Sequence, residues 1–220
     1  MAKITFILGG ARSGKSAFAE GLAKKYNDVV YIATAEAKDD EMRERIRVHR
    51  ARRPQNWMTI ESPFHVNKVV SDISGTTGLV LIDCITLYIT NMLLNSETVP
   101  GGRGGQPFAH PPAKGYDLPS PGRGGESNQM TNSAGCSGLQ TGSPQERQQV
   151  ILAEIHKLRR ACRESGSDVI LISNEVGLSI VPDNALSREF RDIAGYANQI
   201  IAGEADEVYF MVAGIAQRIK

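Results

Sequence analysis

The feature that most constrains this chain is a glycine-rich loop that directly follows its first apolar run. The apolar run at 4–8 predicts a buried strand, and the next residues, GGARSGKS, match the phosphate-binding pattern G-x-x-x-x-G-K-[ST]. Glycines let consecutive backbone N–H groups point at phosphate oxygens, and the N-terminus of the helix that follows favours the same anion. The predicted triphosphate-binding residues are therefore Gly9, Gly10, Ala11, Arg12, Ser13, Gly14, Lys15 and Ser16.

Two side chains of this loop are expected to contact the phosphates and the metal directly. We expect Lys15 to reach the β- and γ-phosphates of a nucleoside triphosphate and the hydroxyl of Ser16 to bind Mg²⁺. A metal-bound triphosphate usually needs a carboxylate at the end of a nearby strand, and Asp83 ends the apolar run LVLID. Asp83 is therefore the second predicted metal ligand; the alternative is that it caps the helix that follows.

Apolar strands alternate with helical segments along the chain. Beyond the first strand, strands are predicted at 29–33, 57–61, 79–83, 169–173 and 208–212, and helices at 15–25, 39–53, 87–94, 145–164 and 186–205. Most strands are apolar throughout, which is typical of a parallel sheet covered on both faces. The predicted fold class is therefore α/β, a mostly parallel P-loop sheet with helices on both faces.

Residues 96–145 interrupt this pattern. They hold eleven of the 22 glycines and seven of the 10 prolines, and the sequence GRGG occurs in them twice. Such a segment buries too little apolar surface to offset the entropy lost on ordering it. We interpret it as a flexible insertion in one catalytic domain spanning 1–220; the alternative is an active-site lid or a partner-binding arm.

The overall composition and charge limit the kinds of binding partner and cellular location to be expected. The formal net charge is +1, which gives no reason to expect nucleic acid as a partner. No apolar run is long enough to span a bilayer, and the N-terminus lacks the features of a signal peptide. The three cysteines, Cys84, Cys136 and Cys162, have no paired spacing, so we expect free thiols, no zinc site and a cytoplasmic location.

The helix predicted at 39–53 combines one histidine with six arginines, at positions 43, 45, 47, 50, 52 and 53. His49 shares a face with Met42 and Ile46 by helical spacing. A neutral imidazole can attack an α-phosphate and form a phosphoramidate, while guanidinium groups stabilise the anionic transition state. From composition alone, the alternative is a solvated basic helix without a catalytic role.

An ordered set of motifs extends beyond the phosphate loop. After GGARSGKS come YIAT at 31–34, DDEM-x-x-RI-x-x-H at 39–49, RP at 53–54, LIDCIT at 81–86, TN at 90–91, SNEVGLSIVPDN at 173–184 and FRDIAG-x-x-N at 190–198. Together these segments closely resemble the bifunctional adenosylcobinamide kinase / adenosylcobinamide-phosphate guanylyltransferase family of cobalamin biosynthesis. The resemblance covers nearly all of the chain outside the insertion.

The resemblance implies a RecA-like P-loop fold, a homo-oligomer that is expected to be a trimer, and two reactions. Adenosylcobinamide is phosphorylated from ATP or GTP with Mg²⁺, and GTP then donates GMP to that phosphate. The implied catalytic residues are Lys15 and His49, the latter carrying the GMP. Beyond the phosphate loop, the implied nucleotide-binding residues are Ala33, Thr34, Ala35, Arg50, Ala51, Arg52, Arg53, Glu61 and Asp83.

Several alternatives stay open at this point. The chain lacks the N-K-x-D motif with which regulatory GTPases read guanine, so a GTPase switch is not expected. A small-molecule kinase without a covalent step and a non-catalytic nucleotide-binding module are the competing functions. Glu175, just after a predicted strand, is assigned either to positioning substrate or metal or to capping its own loop.

Overall fold

The structure, a computed structural model, describes residues 2–37, 40–94 and 143–220, apart from the side chains of Arg45 and Arg52. Its strands are β1 (Ile4–Gly9), β2 (Val29–Ala33), β3 (Met58–Glu61), β4 (Leu79–Asp83), β5 (Asp168–Ile172), β6 (Glu207–Val212) and β7 (Ile215–Arg218). Its helices are α1 (Lys15–Ala23), α2 (Asp40–Arg52), α3 (Val66–Asp72), α4 (Ile85–Leu94), α5 (Pro144–Glu164) and α6 (Ala185–Glu204).

All seven strands form one sheet in the order β3-β2-β4-β5-β1-β6-β7. The first six strands in chain order run parallel, and β7 pairs antiparallel with β6. The central strands are buried along almost their whole length, because both faces of the sheet are covered. The predicted fold class, an α/β mostly parallel sheet with helices on both faces, is confirmed.

The two faces of the sheet have separate hydrophobic cores. One core joins the strands to α3, α4, α5 and α6, with Ile85, Tyr88 and Ile155 among its fully buried side chains. The other core joins the strands to α1 and to the indole of Trp57. Among the described residues, α2 contributes no side chain to either core, so it is attached to the sheet by other contacts.

Two elements escaped the sequence-based prediction. The helix α3 has only seven residues and contains three valines, whose branched side chains lower helix propensity. The strand β7 is four residues long and largely exposed, and it follows β6 through a turn with positive φ at Ala213 (51°) and Gly214 (83°). Neither segment has the apolar run that marked the other strands and helices.

The predicted insertion at 96–145 ends too late in the sequence. Ser143 is the N-cap of α5: its hydroxyl accepts from the backbone N–H of Glu146, and the Glu146 carboxylate accepts from the Ser143 N–H at 2.7 Å. Pro144 occupies the first turn, where its missing N–H costs nothing. Residues 143–145 therefore belong to the start of α5, and the rest of the predicted insertion lies outside the described residues.

No helix in the described part of the chain has the length and apolar character needed to cross a membrane. Cys84 and Cys162 are free, as predicted, and both are buried, whereas Cys136 falls outside the described residues.

Candidate active site

The phosphate loop runs from the end of β1 to the start of α1 and requires glycine at two of its positions. Gly14, at the N-cap of α1, has a left-handed φ of 96°. Gly9 has a φ of 153°, and a Cβ atom there would lie 2.5 Å from the carbonyl oxygen of Met211 on β6. The close packing against β6 explains why a side chain at Gly9 is excluded.

The side chain of Lys15 folds back over this loop. Its Nζ donates to the carbonyl oxygens of Gly9 at 2.9 Å and of Gly10 at 2.6 Å, and the residue is buried. Burial lowers the pKa of Lys15 below its ordinary value, and the nearby carboxylate of Asp83 partly opposes this shift. The ammonium group therefore lies against the loop that is predicted to hold phosphate.

Asp83 faces the phosphate loop from the end of β4. The Ser16 hydroxyl donates to Oδ2 of Asp83 at 3.0 Å, although β5 lies between β4 and β1 in the sheet. The carboxylate accepts from this hydroxyl and that of Tyr31, and within the described chain no backbone N–H of α4 donates to it. The capping alternative for Asp83 is therefore wrong, and the two predicted metal ligands are neighbours.

The donor set of Ser16 and Asp83 fits Mg²⁺ that is also bound to phosphates. Mg²⁺ prefers hard oxygen ligands and is commonly held by one or two carboxylates together with substrate phosphates and waters. Across residues 2–37, 40–94 and 143–220, no group of three or more His, Cys, Asp or Glu side chains could hold a metal ion by itself. A hydroxyl and a carboxylate beside a phosphate loop meet the requirement only when a nucleotide supplies the remaining oxygens.

Tyr31, on β2, is a site residue that sequence reasoning missed. Its hydroxyl donates to Oδ2 of Asp83 at 2.6 Å, and the guanidinium carbon of Arg53 lies 3.5 Å from its ring centroid. Burial raises the pKa of Tyr31 well above its ordinary value, and the negative charge of Asp83 adds to this effect. The signal available in the sequence was a tyrosine within a fully apolar strand, because a buried tyrosine hydroxyl usually has a polar partner.

A buried polar network fixes the backbone beside Asp83. The Thr34 hydroxyl hydrogen-bonds to both the carbonyl oxygen and the N–H of Cys84, each at 2.8 Å. The side-chain amide of Asn91 donates to the Thr34 carbonyl at 2.7 Å. Thr34 is fully buried, so its side chain holds the ends of β2 and β4 together.

A second group of predicted residues meets beneath α2. Arg50 Nη2 lies 2.9 Å from Oε1 of Glu61, and both side chains are more than half exposed. They border a cavity of about 340 Å³ with Ala35 and four other residues, namely Ala37, Arg43, Ile46 and Arg47. Ala35, Arg50 and Glu61, all predicted to bind nucleotide, therefore share one cavity rich in guanidinium groups.

His49 lies on the flank of α2 next to this cavity. It is half-buried, it does not line the cavity, and it makes no hydrogen bond or ion pair with the residues that the structure describes. The cavity lies at the ends of β2 and β3, whereas the phosphate loop begins at β1, four strands from β3. At the usual strand spacing that separation is roughly 19 Å. No hydrogen bond or ion pair among the described residues joins His49 to the phosphate loop.

Glu175 behaves as the loop-capping alternative predicts. Its carboxylate accepts from the backbone N–H of Gly177 at 2.8 Å. Its own N–H donates to the Gly9 carbonyl at 3.1 Å, which ties this loop to the phosphate loop. The residue thus shapes the edge of the site through its backbone.

Comparisons with known proteins identify the family of this chain. A family model described as cobinamide kinase / cobinamide phosphate guanyltransferase matches residues 5–219. The chain is 36% identical over 214 residues to the bifunctional adenosylcobalamin biosynthesis protein CobU of Escherichia coli (strain K12), covering 97% of this chain and 98% of that protein. It is 35% identical over 215 residues to the corresponding protein CobP of Pseudomonas aeruginosa, covering 97% and 95%.

A solved structure of the RadB recombinase has a TM-score of 0.42 and 13% sequence identity, and the match covers 94% of this chain and 73% of that one. The family match includes the phosphate loop, α2 and Asp83, and it confirms the enzyme class that the ordered motifs predicted. The chain belongs to the cobinamide kinase / cobinamide phosphate guanyltransferase family.

Proposed function

We propose that this chain catalyses both reactions of its family at the carboxyl edge of its sheet, in a single domain that contains the insertion. It phosphorylates the aminopropanol hydroxyl of adenosylcobinamide and then transfers GMP from GTP to that phosphate. The observation that carries this proposal is the 3.0 Å hydrogen bond between Ser16 and Asp83, which joins the phosphate loop to the strand-end carboxylate. Phosphoryl and nucleotidyl transfer both need a triphosphate held against such a pair.

In this proposal the residues from Gly9 to Ser16 hold the triphosphate. The Lys15 ammonium exchanges its two carbonyl partners in the loop for β- and γ-phosphate oxygens. Ser16 and Asp83 hold Mg²⁺, which when bound neutralises charge on the phosphates. The hydrogen bonds from the Lys15 ammonium to the carbonyl oxygens of Gly9 and Gly10 support this role, because they show that the ammonium group already points into the loop.

The guanosine extends toward the cavity beneath α2. Arg50 and Glu61 recognise it there, with support from Ala33, Thr34, Ala35, Ala51, Arg52 and Arg53. A carboxylate can accept hydrogen bonds from the N–H edge of a guanine or from a ribose hydroxyl. The shared cavity of Ala35, Arg50 and Glu61 supports this half of the site.

The guanylyl step uses His49 as the nucleophile. A ring nitrogen forms a bond to the α-phosphorus while the bond from that phosphorus to the bridging oxygen breaks, and pyrophosphate leaves. A phosphate oxygen of adenosylcobinamide phosphate then attacks the same phosphorus, and the P–N bond breaks to give adenosylcobinamide-GDP. The arginines of α2 stabilise the anionic transition states of both steps.

This chemistry requires α2 to approach the phosphate loop. None of the described side chains of α2 is in a hydrophobic core, and the Arg50–Glu61 ion pair that attaches it is solvated. Segments with few buried apolar contacts open at a low cost in free energy. Movement of α2 over the nucleotide therefore exposes little buried apolar surface, which supports a closing motion of this helix.

The proposal extends to assembly and location. A homo-oligomer, with three copies as the expected number, would cover exposed apolar side chains such as Leu178 and Ile180, which are 80% and 92% exposed. Light scattering on the purified protein tests this number. The free buried thiols of Cys84 and Cys162 support a reducing cytoplasm.

The test of the guanylyl step is covalent labelling. The full-length protein is incubated with Mg²⁺ and GTP labelled on the α-phosphate, denatured and separated from free nucleotide. We expect acid-labile, alkali-stable label on the protein, and its loss in His49→Ala, because a phosphoramidate hydrolyses in acid. GTP labelled on the γ-phosphate should label only the corrinoid product.

The matched control is His156→Ala, which removes an exposed histidine from α5, away from the site. It should retain the label. If His49→Ala kept full labelling, or if His156→Ala lost it equally, His49 would not be the nucleophile. If label came only from the γ-position, the chain would act as a kinase without the covalent step.

A further inference from the structure

Asp83 is held by two hydroxyl groups through a single oxygen. Ser16 and Tyr31 both donate to Oδ2, at 3.0 and 2.6 Å. Among the described residues no side chain donates to Oδ1, so this oxygen stays available. A carboxylate fixed in this way presents one defined lone-pair direction, which is what a metal ligand beside a triphosphate needs.

The ring of Tyr31 is itself held in place. It is 2% exposed and packs in the same core as α1. Arg53 covers one ring face at 3.5 Å, and its Nη1 approaches the Thr59 hydroxyl of β3 at 3.4 Å. Because neighbours on two elements restrain the ring, its hydroxyl has one direction, toward Asp83.

We propose that Tyr31 is a positioning residue of the metal and nucleotide site, whose hydroxyl orients the Asp83 carboxylate so that Oδ1 is left as the oxygen that would bind Mg²⁺. The inference rests on the proposed function, since it assumes that Ser16 and Asp83 hold Mg²⁺. It adds a residue that acts through Asp83 in both the kinase step and the guanylyl step. Residues that orient metal ligands typically change metal affinity by about 10–100-fold when they are removed.

The competing explanation is that Asp83 only satisfies a buried hydroxyl. The chain offers a matched pair for this comparison. Tyr26 donates to Oδ2 of Asp168 at 2.7 Å, but Asp168 is the first residue of β5 and lies at the amino-terminal end of this strand, whereas Asp83 lies at the carboxyl end of β4. Tyr26→Phe therefore removes the same chemical group from the same kind of pair, away from the nucleotide.

The experiment measures Mg²⁺ dependence of nucleotide binding without turnover. A fluorescent, non-hydrolysable GTP analogue is titrated with Mg²⁺ on wild type, Tyr31→Phe and Tyr26→Phe, and each protein's Tm is recorded. In Tyr31→Phe we expect the half-saturating Mg²⁺ concentration to rise about tenfold. Its affinity for the analogue in EDTA should match that of wild type, and Tyr26→Phe should titrate as wild type.

Two outcomes would overturn the inference. One is a Tyr31→Phe titration that superimposes on that of wild type. The other is an equal loss of affinity with and without Mg²⁺, which is the behaviour of a merely structural residue. If wild type itself showed no Mg²⁺ dependence, the metal site of the proposed function would fail first; a normal wild-type response with an unchanged Tyr31→Phe would reject only the role of Tyr31.

Discussion

Arg50 and Glu61 form an ion pair of 2.9 Å that joins α2 to the end of β3. It closes one side of the cavity beneath α2, and it is one of the few described contacts that attach this helix to the sheet. Because both partners are more than half exposed, the pair contributes little to folding. Under the proposed function, the pair matters as part of the nucleotide cavity rather than as a source of stability.

Glu61→Gln tests this distinction. We expect a change of less than about 1 kcal/mol in the free energy of unfolding, since solvated pairs contribute little. We expect GTP affinity to fall by about tenfold, because a carboxylate hydrogen bond to the nucleotide is lost. The control is Glu154→Gln, which breaks the Lys157–Glu154 pair within α5 and should leave GTP affinity unchanged. Equal GTP affinity in wild type and Glu61→Gln would exclude Glu61 from the nucleotide site.

Arg53→Ala removes the guanidinium that covers the Tyr31 ring. A partly buried cation–π contact is worth about 1–2 kcal/mol, so urea unfolding should show a loss of this size. Labelling from α-labelled GTP should also slow, because Arg53 is one of the proposed nucleotide-binding residues. Arg160→Ala, at an exposed position on α5, should change neither quantity. A normal labelling rate in a destabilised Arg53→Ala would restrict Arg53 to a structural role.

Lys15→Met should abolish turnover while the fold survives. Charge stabilisation of the transferring phosphoryl group is lost, and we expect kcat to fall by at least about 10²-fold in the kinase assay. Burial lowers the pKa of this lysine and so disfavours its charged form in the folded protein, which offsets the loss of its hydrogen bonds to Gly9 and Gly10; we expect only a small change in Tm. Lys24→Met, an exposed change just after α1, serves as the control. Kinase activity retained in Lys15→Met would contradict the assignment of the phosphate loop.

The contacts of Asp206, which lies at the amino-terminal ends of β1 and β6 and away from the site, predict that stability falls in acid. Its carboxylate accepts from the backbone N–H of Ile4 at 2.7 Å and pairs with Arg163, and these contacts hold its pKa below the ordinary 3.8. A lowered folded-state pKa means that the stabilisation is complete above the unfolded value and is lost as pH falls through the folded value.

Urea unfolding between about pH 6 and pH 2.5 checks this sign. Wild type should lose stability below about pH 4, and Asp206→Asn should be less stable near neutral pH with a shallower acid dependence. Asp72→Asn, at an exposed carboxylate on α3, is the control. Parallel pH curves for wild type and Asp206→Asn would show that Asp206 does not contribute.

Much of the site was predictable because its signals are local. The loop from Gly9 to Ser16 lies within one short segment, in which the turn requires Gly9 and Gly14 and a bound phosphate calls for Lys15. Asp83 was recognisable because it ends an apolar run, and parallel strands bring such ends to one edge. The strands β1, β2, β4 and β5 were recognisable because burial on both faces leaves continuous apolar runs.

Other relationships depend on which strands become neighbours, and no local pattern encodes that choice. The position of β5 between β1 and β4 in the sheet sets the distance between Asp83 and Ser16. The pairing of β2 with β3 places Glu61 beneath Arg50. The hydroxyl of Tyr31 gained its partner because β2 pairs with β4 in register, residue 33 opposite residue 83. The amino-acid sequence alone determined the elements and the chemistry of the phosphate loop. The packing of distant segments decided that α2 stands apart from that loop. Contacts across a sheet arise only after the whole chain has folded, so no local pattern could predict them.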